Sequence, residues 1–299
     1  NSTLVSNTAA GVGSAMSLGA VSNVLSHITV TGNTGPQGSF RLYNCIVPIH
    51  NSIVAGNNPD NIEVQLSGAF DPASSGNLLG AGNTAGISNG VNGNLTGLTA
   101  PDLFLGGLSA TNGGPTPTCA LLPNTPAVNR GVNLGLATDQ RGTARVKSGL
   151  PDAGAFEMDL VESQTVNITN DEFNATSDPR FGSGTSLREA LTFNSGAIVD
   201  ASMEGKTIVL STVGDTNRGN SALLISGSKF VASGRPGITI TGDGPEAMRM
   251  FRIAPGGEFG MYGLTLTGGN APDGGAILNE GYLFVNYTTL AGNTATNAG

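Results

Sequence analysis

Short segments of this chain alternate apolar and polar residues with a period of two. The clearest apolar pairs, each separated by one residue, are Ile28 with Val30, Ile238 with Ile240, and Leu264 with Leu266. Because successive side chains of a β-strand point to opposite faces, this alternation predicts short strands with one apolar face and one face of Thr and Ser.

One phrase recurs among these strands. It reads STLVSNT at residues 2–8, ITVTGNT at 28–34, SIVAGNN at 52–58, LTLTGGN at 264–270 and TTLAGNT at 288–294. Its small turn residue is spaced by 26 residues from Ser6 to Gly32 and by 24 from Gly32 to Gly56. Such a repeat predicts an all-β fold, a right-handed parallel β-helix in which each repeat is one coil and inward apolar side chains stack into a continuous core.

An Asn residue closes the phrase at positions 7, 33, 57 and 293. Asn tolerates left-handed backbone, and its amide bonds neighbouring amides, so we expect Asn7, Asn33, Asn57 and Asn293 to form a stacked structural row at a turn. Ligand binding by this row is the alternative.

Three segments follow from the pattern. Residues 1–68 are predicted to be the terminal coils of one β-helix module, and residues 69–160, rich in loops and Pro, to be a cap that closes its end. Residues 161–299 are predicted to begin a second module, with a short capping helix that starts at Thr185 or Ser186 and has Glu189 in its capping box.

A family resemblance rests on several motifs. NSIVAGN, SGNLLG, NGGPTPTCALLPNTPAVNRG, TDQRG and DAGAFE resemble the C-terminal part of the choice-of-anchor Q domain of secreted bacterial proteins, and SLREAL, GKTIVLS, GLTLTGG and DGGAILNEG resemble its N-terminal part. The GGAI element also resembles polymorphic outer-membrane protein repeats. The resemblance implies a β-helix on a large extracellular protein, without a known activity. Cys119 stands where the family usually has His. Arg141 and Glu157 match the motif, and we expect them to form a buried ion pair that holds the cap.

Charge and composition restrict the classes of partner that the chain can be expected to bind. The net charge is −8 with only 13 basic residues, which argues against nucleic acid. No apolar run reaches the length of a membrane-spanning helix. The chain starts at Asn1 without Met, so we expect a processed form or an excerpt, located outside the cell or on its surface.

Few residues suggest chemistry. The acidic loop with Asp171, Glu172 and Asp178 is a candidate Ca²⁺ site, although its spacing matches no defined calcium motif and a solvated loop is the alternative. No other cofactor is expected. Cys45 and Cys119 form either one disulfide or two buried free thiols.

Catalytic groups are sparse. We expect His27 to point outward at the surface, and we consider Glu258 with Glu280, and Asp243 with Asp273, as carboxylate pairs. Neither pair lies at repeated strand positions, so the sequence favours a protein that is not an enzyme.

The repeated phrase at both ends predicts the function. Across a direct fusion, the 13 residues between Gly292 and Ser6 fall about 11 short of a 24-residue coil. The chain is therefore either a window of a longer repetitive chain or a subunit that stacks on copies of itself end to end, with an incomplete junction, in an extracellular fibre, stalk or adhesin. The alternative is a β-helix that binds or cleaves carbohydrate, of the polysaccharide lyase or hydrolase type, although 5% aromatic residues and no Trp make sugar-stacking platforms scarce.

Overall fold

The computed structural model describes residues 1–20, 23–147, 149–235, 237–242, 244 and 246–298. It divides into two compact units, Asn1–Leu160 and Val161–Gly299. Each unit winds short parallel strands into coils. The predicted parallel β-solenoid is confirmed.

The first unit is built almost entirely from strands and turns. In chain order its strands are β1 (Ser2–Val5), β2 (Met16–Gly19), β3 (Leu25–Ser26), β4 (Ile28–Thr31), β5 (Phe40–Tyr43), β6 (Ile46–Val47), β7 (Ile49–His50), β8 (Ile53–Val54), β9 (Ile62–Gln65), β10 (Ala69–Phe70), β11 (Leu78–Gly80), β12 (Leu95–Leu98), β13 (Leu105–Ser109) and β14 (Thr118–Leu121). Single 3₁₀ turns lie at Val91–Gly93, Pro101–Leu103 and Ala110–Asn112.

Strands β1 to β12 of this unit form parallel pairs between neighbouring coils, and β13 and β14 pair with each other as an antiparallel hairpin. Sheet 1 has the parallel order β1-β4-β8-β11-β12, and sheet 2 has the parallel order β2-β5-β9. In sheet 1 Leu4 lies beside Val30, and Val30 lies beside Val54. These inward residues form a core with Phe40, Leu42 and other apolar side chains, because the period of two turns every second side chain inward.

The coils of the first unit extend further than residue 68. Strands β11 and β12 add two more rungs to sheet 1, and only then does the chain form the antiparallel hairpin β13-β14. Their signal in the sequence is weak because the last coil is short: Asn77 and Asn94 are only 17 residues apart.

Residues 126–157 differ from the expected cap. They lie along the outward face of sheet 1 rather than across the end of the coils. The amide of Ala155 donates to Thr29 Oγ1 at 2.9 Å, that of Gly154 donates to Asn51 O at 2.8 Å, and Thr3 Oγ1 donates to Gln140 Oε1 at 2.8 Å. Thr side chains on this face supply the hydrogen-bonding groups that an irregular backbone needs when it packs on a sheet.

The second unit begins with a short helix and continues with coils. Its elements are β15 (Thr165–Val166), α1 (Leu187–Phe193), β16 (Gly196–Val199), a 3₁₀ turn at Ala201–Met203, β17 (Thr207–Leu210), β18 (Ser221–Ile225), β19 (Ser228–Ser233), β20 (Thr239–Gly242), β21 (Arg249–Ile253), β22 (Glu258–Tyr262), β23 (Thr265–Thr267), β24 (Asn270–Asp273), β25 (Ile277–Asn279), β26 (Tyr282–Asn286), β27 (Thr289–Leu290) and β28 (Thr294–Ala298).

Three larger parallel sheets and a parallel pair, β24-β28, form the sides of this solenoid in the part that the structure describes. Sheet 3 has the order β15-β16-β19-β22-β26, sheet 4 the order β17-β20-β23-β27, and sheet 5 the order β18-β21-β25. Their inward side chains form a second apolar core, which includes Ile240, Phe251, Met261 and Leu266.

Helix α1 starts as the sequence predicts. Ser186 is its N-cap and accepts from the Glu189 amide, while the Glu189 side chain accepts from the Ser186 amide, which completes a capping box. Leu187, Ala190 and Leu191 are buried in the second core, beside the first coil of sheet 3. The helix therefore shields the open edge of that coil.

Candidate functional site

A ladder of Asn side chains runs along one turn of the first unit. Asn7 Nδ2 donates to Asn33 Oδ1 at 2.8 Å, and Asn33 Nδ2 donates to Asn57 Oδ1 at 2.9 Å. Asn57 Nδ2 continues the ladder to Asn61 Oδ1 at 3.1 Å. Asn33 and Asn57 also bond the backbone of the preceding coil, since Asn33 Nδ2 donates to Leu4 O and Asn57 Nδ2 donates to Val30 O. The row predicted from the repeat therefore joins successive coils by side-chain hydrogen bonds.

Asn293 occupies the equivalent place in the second unit, apart from that ladder. Its Oδ1 accepts from the Gly269 amide at 2.9 Å, and its Nδ2 donates to Leu266 O and Ala291 O. Gly269 stands where the first unit has Asn, so within the described residues of the second unit Asn293 makes one rung of this kind in place of a row.

A second ladder was not predicted from the sequence. The Ser52 amide donates to Asn77 Oδ1 at 3.0 Å, and Asn77 Nδ2 donates to Asn94 Oδ1 at 2.9 Å. The shared SGN and NGN triplets at residues 75–77 and 92–94 were its only signal, and their spacing differs from that of the main repeat.

The outermost coils leave inward side chains uncovered. Val285 and Leu290 are 41% and 47% exposed, whereas their partners one coil earlier, Met261 and Leu266, are 1% and 0% exposed. Strand β1 is likewise the outermost strand of sheet 1. Both coils therefore present a strand edge, and the coil of β26 and β27 also presents uncovered apolar side chains.

A buried polar cluster fastens residues 126–157 to sheet 1. Arg145 Nη1 lies 3.3 Å from Glu157 Oε2, and both side chains are buried. The Asp152 amide donates to the same Glu157 oxygen at 3.0 Å, and Asp152 accepts from the amides of Asn129 and Met158. The expected Arg141–Glu157 ion pair is therefore wrong. Arg141 pairs with Asp139 at 2.8 Å and donates only to the backbone O of Glu157 at 2.5 Å.

Burial changes the titration of this cluster. It raises the pKa of Asp152 to about 7 and that of Glu157 to about 8, and for Glu157 the nearby Asp152 carboxylate adds to the effect. Arg145 opposes both shifts by favouring the charged forms.

The prediction that His27 is a surface residue is wrong. Its side chain is fully buried, with Nδ1 2.7 Å from Ser26 Oγ and Nε2 2.9 Å from Asn51 Nδ2. Because Asn51 Nδ2 is a donor, Nε2 accepts and the imidazole is neutral. Burial, aided by the charge of Arg145, lowers the pKa of His27 to about 3. Residues 126–157 cover this position, since Asn51 also bonds Val132.

The three acidic residues proposed for Ca²⁺ do not converge. Asp171 pairs with Arg188 at 2.6 Å, Glu172 accepts from the amide and hydroxyl of Ser183, and Asp178 pairs with Arg180. Throughout the part of the chain that the structure describes, no three His, Cys, Asp or Glu side chains lie close enough together to hold a metal ion. These carboxylates instead order the loop before α1.

The carboxylate pairs also lie apart. Glu258 is exposed on the outward face of sheet 3, whereas Glu280 pairs with Arg252 at 2.7 Å beside sheet 5. Asp273 lies on β24, and Asp243 lies outside the described residues.

Both cysteines are free thiols. Cys45 and Cys119 are buried in the first unit, and burial raises the pKa of the Cys119 thiol. Of the two alternatives left open by the sequence, the structure has the pair of buried thiols.

These features define a protein class by its fold: the chain is a parallel β-solenoid protein. No protein-family model matches the chain, and no curated protein matches it. Within the described ranges, no helix is long and apolar enough to cross a membrane.

Proposed function

We propose that this chain is a structural segment of an extracellular fibre or stalk, in which β-solenoid coils stack end to end and the coil of β27 meets the coil of β1 in a neighbouring copy. The observation that carries the proposal is the match between the two outermost coils. Both carry the same phrase, and their uncovered groups are complementary.

The complementarity follows the direction of the Asn ladder. In each rung the lower-numbered coil donates and the higher-numbered coil accepts: the Asn33 amide and Nδ2 donate to Asn57 Oδ1. Asn293 Nδ2 bonds Leu266 and Ala291 as Asn33 Nδ2 bonds Leu4 and Thr31. Among the described residues the backbone N–H of Asn293 has no acceptor, and Asn7 Oδ1 has no donor. A junction that aligned Asn293 with Asn7 would supply both.

The apolar rows fit the same alignment. The alignment of Asn293 with Asn7 also places Leu290 beside Leu4. The pairing of β27 with β1 would then extend sheet 4 into sheet 1 by β-augmentation. Burying the exposed part of Val285 and Leu290 would add hydrophobic stabilisation to the new backbone hydrogen bonds. A surface rich in Thr, Ser and Asn, on a chain with only 11% charged residues, suits a location outside the cell.

The experiment is electron microscopy and analytical ultracentrifugation of the chain and two variants. Leu290→Lys places a charge on the uncovered inward row, and Leu224→Lys is its matched control, since Leu224 is 42% exposed on the outward face of sheet 5. We expect filaments from the wild-type chain and from Leu224→Lys, and monomers from Leu290→Lys.

Two results would contradict this proposal. One is a wild-type chain that stays monomeric at all concentrations tested. The other is a filament that Leu290→Lys leaves unchanged. Denaturing mass spectrometry of native material then shows whether successive coils belong to separate copies or to one longer chain.

A further inference from the structure

The outward face of sheet 3 concentrates aromatic side chains. Three of the four tyrosines in the chain, Tyr262, Tyr282 and Tyr287, lie on β22, on β26 or directly after β26, and all three are exposed. Phe284 is 55% exposed on the same face. This clustering is independent of the coil ends, because side chains on the outward face stay accessible when another coil stacks on the last one.

One row of this face alternates glycine and phenylalanine. Gly196, Phe230, Gly260 and Phe284 are in register across four neighbouring strands. The Phe230 ring covers Gly196 so closely that a β-carbon there would collide with it. Gly260 differs, since the only atom near the place of its missing β-carbon is Phe230 Cβ at 3.6 Å. Phe284 therefore leaves Gly260 uncovered.

The result is a slot with a glycine floor. Phe230 and Phe284 stand two strands apart, which places their backbones roughly 9.5 Å from each other. The slot belongs to a groove of about 490 Å³, a size within the usual range for ligand pockets. Phe284 lines one side of the slot, Phe230 lines the other side through its Cβ, and the floor is the backbone of Gly260.

The rim of the groove consists of polar side chains that keep their hydrogen-bonding groups free. Ser195, Ser228, Glu258 and Tyr282 line it. Within the described ranges, none of these four side chains makes a hydrogen bond to another protein group. Glu258 is the one carboxylate of the lining, and Lys229 Nζ is turned away to Asn194 O at 2.5 Å. The groove thus offers free hydroxyls with little net charge.

We propose that this groove binds a neutral, extended oligosaccharide. A pyranose ring has apolar C–H faces, which can stack on the exposed Phe284 and Tyr282 rings, and hydroxyls around its edge, which need donors and acceptors such as those of the rim. A second copy of the chain fits less well, because close apolar packing would leave the rim hydroxyls and the Glu258 carboxylate buried without partners.

Calorimetry with the 299-residue chain tests the site. The probes are neutral hexasaccharides of β-1,4-linked glucose, β-1,3-linked glucose, β-1,4-linked xylose and β-1,4-linked mannose, together with acidic hexagalacturonate. We expect at least one neutral probe to bind and hexagalacturonate, which Glu258 repels, not to bind.

Two variants and one control locate the binding. Gly260→Val fills the slot on an ordinary strand position and should abolish binding with an unchanged melting temperature. Phe284→Ala removes one wall and should weaken binding about tenfold. Phe173→Ala, which removes an equally exposed ring elsewhere in the unit, should leave binding unchanged.

Three outcomes would overturn the inference. They are a panel in which no neutral probe binds, binding that Gly260→Val leaves intact, and a sedimentation coefficient that falls in Phe284→Ala, which would assign the face to a second copy. If Gly260→Val fails to fold, the comparison of Phe284→Ala with Phe173→Ala shows whether binding depends on the groove, and equal affinities of these two variants would overturn the inference.

Discussion

At the scale of single residues, the first unit buries several ionisable groups within residues 126–157 and one, His27, under them. Glu157, Asp152 and Asp139 share two arginines, and His27 lies in the same region under Asn51. Sequence motifs identified Arg141 and Glu157 as structural but paired them wrongly, because Arg145 lies only four residues further along the chain and no local pattern distinguishes the two arginines. The burial of His27 depends on contacts with residues more than a hundred positions away, which local alternation does not register.

These groups predict a dependence of stability on pH. The pKa values of Asp152 and Glu157 are raised in the folded state, so the folded chain keeps protons that the unfolded chain loses, and stability falls as pH rises from about 4 through 8. His27 has a lowered pKa and acts in the opposite direction, but only below about pH 6.5. We therefore expect the melting temperature of the first unit to fall between pH 6.5 and 8.

Glu157→Gln tests this assignment by differential scanning calorimetry. The glutamine oxygen still accepts from Arg145 and from the Asp152 amide, whereas the titrating group is gone. The fall in melting temperature between pH 6.5 and 8 should become smaller than in wild type. Glu63→Gln, on the outward face of sheet 2, is the control and should keep the wild-type slope. An unchanged slope in Glu157→Gln would contradict the prediction.

At the scale of elements, the positions of the strands follow the sequence repeat. The side chains and segments on the outward faces of the sheets do not follow it. Strands β4, β8, β23 and β27 lie within the recurring phrase and were predictable from it. The aromatic row of sheet 3 was not, because its members are spaced by 34, 30 and 24 residues and its coils differ in loop length. Likewise, the placement of residues 126–157 along sheet 1 rests on bonds such as Ala155 to Thr29, which span 126 residues.

The Asn ladder predicts that replacing an Asn side chain by Ala lowers the free energy of unfolding more inside the ladder than at its end. Asn33 is fully buried and bonds coils on both sides, so Asn33→Ala leaves buried donors and acceptors unpaired and should destabilise the first unit by about 1–3 kcal/mol. Asn7 is exposed at the outer rung, where water replaces lost bonds, and Asn7→Ala should cost about 0.5 kcal/mol. Urea denaturation measures both variants, and equal losses would show that the ladder contributes no more inside than at its end.

At the scale of the whole molecule, the chain has two separate apolar cores. One is built from residues between Ile28 and Ile87, and the other from residues between Val166 and Ala276, with no residue in common. Since each unit has its own core and the second has its own capping helix, each meets the requirement for folding alone.

Fragments test that independence. Residues 1–160 and 161–299, expressed separately, should each show one cooperative thermal transition. A fragment of residues 1–125 should melt well below the 1–160 fragment, because it exposes Thr29, Asn51 and the other groups that residues 126–157 satisfy. A 161–299 fragment without a cooperative transition, measured by circular dichroism, would show that its core does not suffice.

The uniform direction of the Asn ladder has a consequence for growth. Asn7 Nδ2 and Asn33 Nδ2 each donate to the Asn Oδ1 of the next higher-numbered coil, so the bonds between Asn side chains of successive coils all run in one direction. A filament that continues this ladder is polar: one tip displays bare carbonyl oxygens and the other bare amide hydrogens. The two tips would then elongate at different rates, and a cap specific for one of them would set the length of the filament.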